Sequence, residues 1–312
     1  MKRLLSLLPA MLLVLFVACG GDDNPYNINP KNPIPVETDP GQANGPEIAK
    51  YSLEFPQMKG GKSEIIVHEA EINSTTKKRA INYSLEWDHD KKATRWVCYK
   101  MYLDTNTSAW NRNNWPNGDP WAYDPSVPQS EQQATYNELS KSNPPLSNST
   151  YYEKGHILAS ADRLCSQEAN GQTFYMTNIY PMVKNFNGGV WATLEGRVRG
   201  WANASDTLYV VKGGTIDNEK NILARTIGNH IVPKYFYMAL MSKKGNNLRA
   251  IGFFLEHKDD TSWGKLKDYA YSIKELENKT GINFFCNLPD DTEIQIENPD
   301  RTQMLKDWSL NN

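Results

Sequence analysis

Three stretches decide the fold: Tyr152-Glu153-Lys154-Gly155-His156-Ile157, Thr173-Phe174-Tyr175-Met176-Thr177-Asn178-Ile179-Tyr180-Pro181, and Asn185-Phe186-Asn187-Gly188-Gly189-Val190-Trp191-Ala192-Thr193-Leu194-Glu195. The first reads as a short apolar strand carrying His156, the second as a strand ending in Asn178. The third opens a helix running from about Asn187 to Trp201, because Val190, Leu194 and Val198 form one stripe spaced by four. On an ideal helix Asn187 and Glu195 stand about 80° apart and two turns along, whereas Glu195 and Arg199 are i, i+4 neighbours. The expected unit is strand, strand, helix, with one helix face showing an amide oxygen, a carboxylate and a guanidinium to a single site.

Those groups share a chemical logic. A neutral imidazole such as that of His156 takes a proton from water near neutral pH. A hard cation prefers oxygen ligands, and Mg²⁺ keeps several of its waters, so few protein ligands are needed beyond an Asn carbonyl. Arginine or lysine neutralises charge developing on a phosphodiester, and phosphodiester hydrolysis uses the whole set. Each residue also has a plainer use. His156 could be a core histidine, Asn187 a helix N-cap, Glu195 with Arg199 a surface ion pair, and Lys154 a solvated strand charge.

Glu153-Lys154-Gly155-His156 with Ala161-Asp162-Arg163 trailing it, then Thr177-Asn178-Ile179, then Asn187, Glu195 and Arg199, resemble in order and spacing the DNA/RNA non-specific endonuclease family. Ile231-Val232-Pro233-Lys234-Tyr235-Phe236 and Glu277-Asn278-Lys279-Thr280-Gly281-Ile282-Asn283-Phe284-Phe285 also resemble family segments, and the likeness spans roughly residues 60–290. The resemblance implies an α+β fold, a central antiparallel sheet with flanking helices and a ββα-metal active-site element. It implies His156 as general base, Asn187 as the one direct protein ligand of a hydrated Mg²⁺ or Mn²⁺, and Glu195 as an orienter of metal-bound water. Arg199 would contact phosphate, with Lys154 and Asn178 also on the substrate side and Asn178 supporting the site. The implied substrates are DNA and RNA and the implied products carry 5′-phosphates; a homodimer follows by analogy alone. Two departures stand out. Glu153-Lys154 replaces the family's Asp-Arg pair, exchanging a forked donor for a point charge, and Met182 stands where relatives often place a Gln.

Working outward, runs rich in β-branched and aromatic residues at 64–69, 81–87, 95–103, 207–212, 222–226, 235–241 and 250–255 read as antiparallel strands. A long polar insertion between Asp104 and Tyr152 carries Trp110, Trp115 and Trp121 and one helix around 130–140. Leu266, Tyr269, Ala270, Ile273 and Leu276 repeat at helical spacing up to Gly281 and predict a packing helix.

Charge adds a further limit. With 34 basic against 36 acidic residues, bulk positive charge cannot be what grips a polyanion. Residues 184–200 are nonetheless net +2, within a body at 51–312 of about −1. No recognition helix or zinc finger is visible, so contact through the backbone of a nucleic acid, without sequence preference, is expected.

At the N-terminus, Lys2 and Arg3 precede an apolar run to Val17 of signal-peptide length, and Val17-Ala18-Cys19-Gly20 resembles a bacterial lipobox. The expected division is a signal peptide at 1–18, a lipidated Cys19 with a Pro- and Asn-rich tether to residue 50, and one nuclease domain at 51–312. The membrane would be met only through the lipid, placing the chain in a bacterial outer membrane, facing the periplasm or the cell surface. Cys98, Cys165 and Cys286 then allow at most one disulfide. The rival from another class is a catalytically weak surface lipoprotein that binds nucleic acid or another polyanion; a milder alternative is an enzyme confined to small phosphodiesters or one nucleic acid type.

Overall fold

The computed structural model of the chain describes residues 51–139 and 152–311. The expected signal segment, Cys19 and the expected tether to residue 50 lie outside the described residues. In chain order the elements are β1 (Ser63–Asn73), β2 (Lys78–Asp88), β3 (Ala93–Tyr102), α1 (Gln129–Glu138), β4 (Glu153–His156), α2 (Gln167–Gln172), β5 (Ile179–Met182) and α3 (Ala192–Asn203). They continue as β6 (Thr207–Gly214), β7 (Ile222–Arg225), β8 (Ile231–Pro233), β9 (Tyr235–Lys244), β10 (Asn247–Glu256), β11 (Ala270–Tyr271), α4 (Ile273–Thr280), α5 (Asp290–Glu297) and α6 (Arg301–Asp307).

Seven strands pair in the order β1-β2-β3-β6-β9-β10-β11, every neighbour antiparallel. Period-two alternation divides their side chains between two cores. Tyr83, Leu85, Val97, Tyr99, Leu208, Val210, Met238, Leu240 and Phe253 fill one face, against Ile157, Ile179, Phe186, Trp191, Leu194 and Val198. Trp96, Cys98, Tyr209, Val211, Tyr237, Ala239 and Met241 fill the other, against Ile273, Leu276, Phe284 and Phe285. The chain leaves the sheet after β3 and returns as β6, its direct neighbour, with Tyr102 paired to Thr207. The β4–β5 hairpin and α3 lie within that excursion. The antiparallel sheet with flanking helices expected from the sequence is the observed architecture, and Cys98, Cys165 and Cys286 form no disulfide among the described residues.

Three local expectations need correction. The helix of residues 187–201 is not continuous: a wide turn at Phe186–Trp191, broken at Gly189 (φ −102°, ψ −110°), precedes α3. Gly188 and Gly189 are weak helix formers, and Trp263 packs against Gly189 while its indole N–H donates to the Asn185 carbonyl at 3.2 Å. The angle drawn between Asn187 and Glu195 on one ideal helix therefore does not apply. The stripe 266–276 is also divided, into a single turn at Leu266–Tyr269, then β11 paired to β10, then α4. Ser272 and Glu275 form a reciprocal capping box that starts α4 at Ile273, and Gly281 closes it in the left-handed region at φ +69°. Finally, Asn178 ends a short turn at Met176–Asn178 rather than a strand, and β5 begins after it.

Candidate active site

The β4–β5 hairpin pairs Glu153 with Met182, Lys154 with Pro181, Gly155 with Tyr180 and His156 with Ile179. A Cβ on Gly155 would lie 2.3 Å from Cγ and Sδ of Met182, so this glycine is required by the close passage of Met182 across β4. Met182 is fully buried, which makes it a packing residue and removes it from any role toward substrate. Asn178 is buried as well. Its Oδ1 accepts from the Leu158 amide at 2.8 Å, and its Nδ2 donates to the carbonyls of Leu158 and Thr173 at 2.9 and 2.7 Å. With its amide committed to backbone, Asn178 does not contact substrate; it fixes the chain just beyond His156.

His156 lies on the strand so anchored. Its ring packs against Trp121 (centroids 5.2 Å) and Phe174 (5.1 Å), and its Nε2 is buried without a hydrogen-bond partner among the described residues. Burial first, then the nearby Arg112 guanidinium, push the imidazole down to about 3, so it is neutral across the physiological range. Lys154 projects to the same aromatic group, with Nζ 4.6 Å from the Trp121 ring centre and 5.6 Å from that of Tyr136. Arg112 and Asp119 come from the same long insertion as Trp121, whose tryptophans were visible in the sequence but whose lack of periodicity gave no signal for these two charged residues. Arg112 is held by a bidentate pair with Asp119 at 2.7 and 2.6 Å and reaches Ser160 Oγ at 3.3 Å. The insertion is itself anchored by buried Asp124, which accepts from Thr177 Oγ1 at 2.5 Å and contacts His68 Nε2 at 2.9 Å.

Asn187 sits in the turn before α3. His257 accepts from the Val183 amide through Nε2 at 2.8 Å, and the Val183 carbonyl accepts from the Asn187 amide at 2.9 Å, which sets the course of that turn. The Asn187 side chain donates from Nδ2 to Glu153 Oε2 at 2.9 Å. The longer carboxylate at position 153 thus reaches the very residue expected to carry a cation. It engages the nitrogen end of the amide and leaves the oxygen end for a ligand.

On α3, Glu195 and Arg199 do not pair with each other directly but through a buried network. Lys212 Nζ, on β6, lies 3.3 Å from Glu195 Oε1 and 3.3 Å from Asp162 Oδ2. Asp162 Oδ1 accepts from Arg199 at 2.9 Å and its Oδ2 accepts from the Tyr99 hydroxyl at 2.8 Å. Burial pushes the Asp162 carboxyl up, yet Lys212 and Arg199 outweigh it and hold it below its ordinary value. Burial leaves the Glu195 carboxyl raised, against the pull of Lys212. Asp162 and Lys212 were missed as members of the site. A signal for the second existed: a lysine inside the apolar run Leu208-Tyr209-Val210-Val211-Lys212 demands buried carboxylates. Arg163, beside Asp162, is structural, donating to the carbonyls of Asn82, Lys100 and Asp162.

Among the described residues, no three His, Cys, Asp or Glu side chains are grouped as a metal cage. The Asn187 amide oxygen, with the Glu153 carboxylate on the other end of that amide, matches instead a hydrated Mg²⁺-like ion, which tolerates a single neutral oxygen ligand. The donor set fits such an ion and does not suit zinc or copper.

The sequence pattern of the DNA/RNA non-specific endonuclease family matches residues 61–291. A nuclease of Nostoc sp. is 26% identical over 226 residues, covering 69% of this chain and 75% of that protein. A nuclease of Serratia marcescens is 24% identical over 219 residues, covering 69% and 77%. The mitochondrial nuclease EXOG of Mus musculus is 24% identical over 236 residues, covering 72% of this chain but only 61% of its own length. Among solved structures, a chain of the EndoG/EndoGI complex superposes with a TM-score of 0.53 at 18% identity, over 66% of this chain and 84% of that one. With the family pattern spanning most of the sequence and the hairpin-and-helix unit in place, this chain belongs to the DNA/RNA non-specific endonuclease family.

Proposed function

We propose that this member of a nuclease family is a divalent-metal-dependent endonuclease that hydrolyses DNA and RNA without sequence preference, leaving 5′-phosphate ends. The observation that carries the reading is His156: a neutral imidazole whose buried Nε2 has no partner among the described residues, in the field of the Arg112 and Lys212 cations. A water proton passes to His156 Nε2 as the water oxygen bonds to phosphorus; the P–O3′ bond breaks and the 3′ oxygen takes a proton from solvent. An arriving phosphate anion offsets the field of Arg112, so the imidazole becomes more basic once substrate is in place. Arg199 and Lys154 are the proposed phosphate contacts, and Glu195 accepts hydrogen bonds from water in the site. Asn187 Oδ1 is the proposed ligand of Mg²⁺ or Mn²⁺, which when bound supplies positive charge for the phosphate and the leaving oxygen. Lys184, Arg197 and Arg199 give the surface around α3 its basic character, suited to a polyanion held by its phosphates.

The test is cleavage of plasmid DNA and total RNA by the purified protein with Mg²⁺, with Mn²⁺ and with EDTA, beside His156→Ala. Loss of substrate confined to the wild-type lanes with metal, with 5′-phosphate at the new ends, is expected. Binding without turnover in every lane would instead favour a polyanion-binding protein on the same scaffold. We also propose that residues 1–18 are removed and that Cys19 carries lipid on an outer-membrane face, with residues 20–50 as tether. Labelled fatty acid should enter the wild-type protein and not Cys19→Ser.

A further inference from the structure

We propose that Lys212 is a positioning residue of this site: its buried ammonium holds the Glu195 carboxylate in place from the sheet and couples it, through Asp162, to Arg199. The inference rests on the nuclease reading above and deepens it, since Lys212 itself cannot touch substrate; its side chain is completely buried.

The placement follows from strand geometry. Along β6, Leu208, Val210 and Lys212 face the core beneath the hairpin and α3, while Tyr209 and Val211 face the opposite core. Lys212 therefore rises from the centre of the sheet, paired between Val97 of β3 and Met238 of β9. Its ammonium is 5.6 Å from the Tyr99 ring centre and 6.0 Å from that of Trp191, aromatic walls that keep water away. Two carboxylates, Glu195 and Asp162, meet it at 3.3 Å each. With Arg199 on the far oxygen of Asp162, the group holds two negative and two positive charges.

Stability alone does not account for such a group, because a buried ion pair is commonly no better than apolar side chains of the same volume. Geometry does account for it. Glu195 and Arg199 sit on one helix, and each would otherwise sample several rotamers; Lys212 fixes the first and Asp162 the second. Tyr99 and Lys212 in turn orient Asp162, so both functional side chains of α3 are referred to one rigid strand pair.

The purified wild-type protein and Lys212→Met are compared in three ways: thermal unfolding, Mn²⁺ binding without nucleic acid followed by the electron paramagnetic resonance of free Mn²⁺, and steady-state cleavage. Lys212→Met is expected to fold, to keep KM for nucleic acid within about twofold, and to lose about 10- to 100-fold in kcat and in Mn²⁺ affinity. A merely structural lysine would lower the melting temperature while Mn²⁺ affinity and kcat of the folded protein stayed at wild-type values, and that result overturns the proposal. If two carboxylates facing one guanidinium prevent folding, the charge-balanced Lys212→Met/Asp162→Asn protein is compared with Asp162→Asn alone. Weaker Mn²⁺ binding by the pair supports the proposal and equal binding overturns it. A wild-type protein that folds but neither cleaves nor binds Mn²⁺ refutes the nuclease reading itself, independently of any Lys212 variant.

Discussion

His156 concentrates the chemistry in one imidazole, and its environment makes a claim that can be measured without substrate. In the metal-free protein its ring should stay neutral as pH falls from 8 to 5, because burial and Arg112 oppose the charged form. Imidazole proton resonances that titrate near pH 6.5 would contradict this. Replacing His156 by Ala should lower cleavage by about 10²- to 10⁴-fold with little change in melting temperature. Gly155 makes a different claim, about space. A methyl group there meets Met182 at 2.3 Å, so Gly155→Ala should cost about 1–3 kcal/mol in denaturant unfolding, and Met182→Ala in the same protein should recover part of it. His156, Asn187, Glu195 and Arg199 were legible as candidates because their order and spacing are local. Lys212 lies 17 residues beyond Glu195, on a separate strand, and its part in the network exists only once the sheet has formed. Asn178 misled because burial decides the use of an amide, and no local pattern showed that its three bonds end on backbone.

At the level of elements, the strands were the most readable. The runs proposed at 81–87, 95–103, 235–241 and 250–255 fall on β2, β3, β9 and β10, since central strands buried on both faces read as continuous apolar and aromatic sequence. Helices were less so, because periodicity does not register where a backbone breaks. The stripe Val190, Leu194, Val198 is buried as expected, yet the turn before α3 widens around Gly189 under Trp263. The stripe from Leu266 satisfied helical spacing, but the capping box at Ser272 starts α4 only at its end and leaves Ala270 and Tyr271 to complete the sheet. Ser272→Ala should therefore destabilise the protein by about 1 kcal/mol, measured as a shift of the denaturation midpoint, while cleavage by the folded protein is unchanged. Trp263→Ala acts on the other element. By freeing the turn that carries Asn187, it should weaken Mn²⁺ binding more than it lowers the melting temperature.

For the whole molecule, buried histidines set the response to acid. Burial pushes His230 and His257 down to about 4 each, so between about pH 6.5 and 4 the unfolded chain takes up protons that the folded one does not. Their stabilising contribution is complete above pH 6.5 and is lost as pH falls, on the order of 3 kcal/mol for each by pH 4. Scanning calorimetry at pH 7.5, 6 and 5 should show a falling melting temperature, with His230→Gln reducing the slope. The connection from β3 to β6 carries a consequence for how the protein is made. Tyr102 and Thr207 are partners in the sheet, yet residues 103–206 must be looped out before they can meet. Closing a chain of that length costs about 4 kcal/mol of entropy ahead of any reward from pairing. Non-local pairings of this kind place folding in the range of milliseconds to seconds rather than microseconds. Lys212 arrives only with β6, whereas Asp162 and Glu195 belong to the looped segment. Until β3 and β6 pair, Asp162 and Glu195 lack Lys212 between them, and the site stays incomplete however much of the looped segment has already formed.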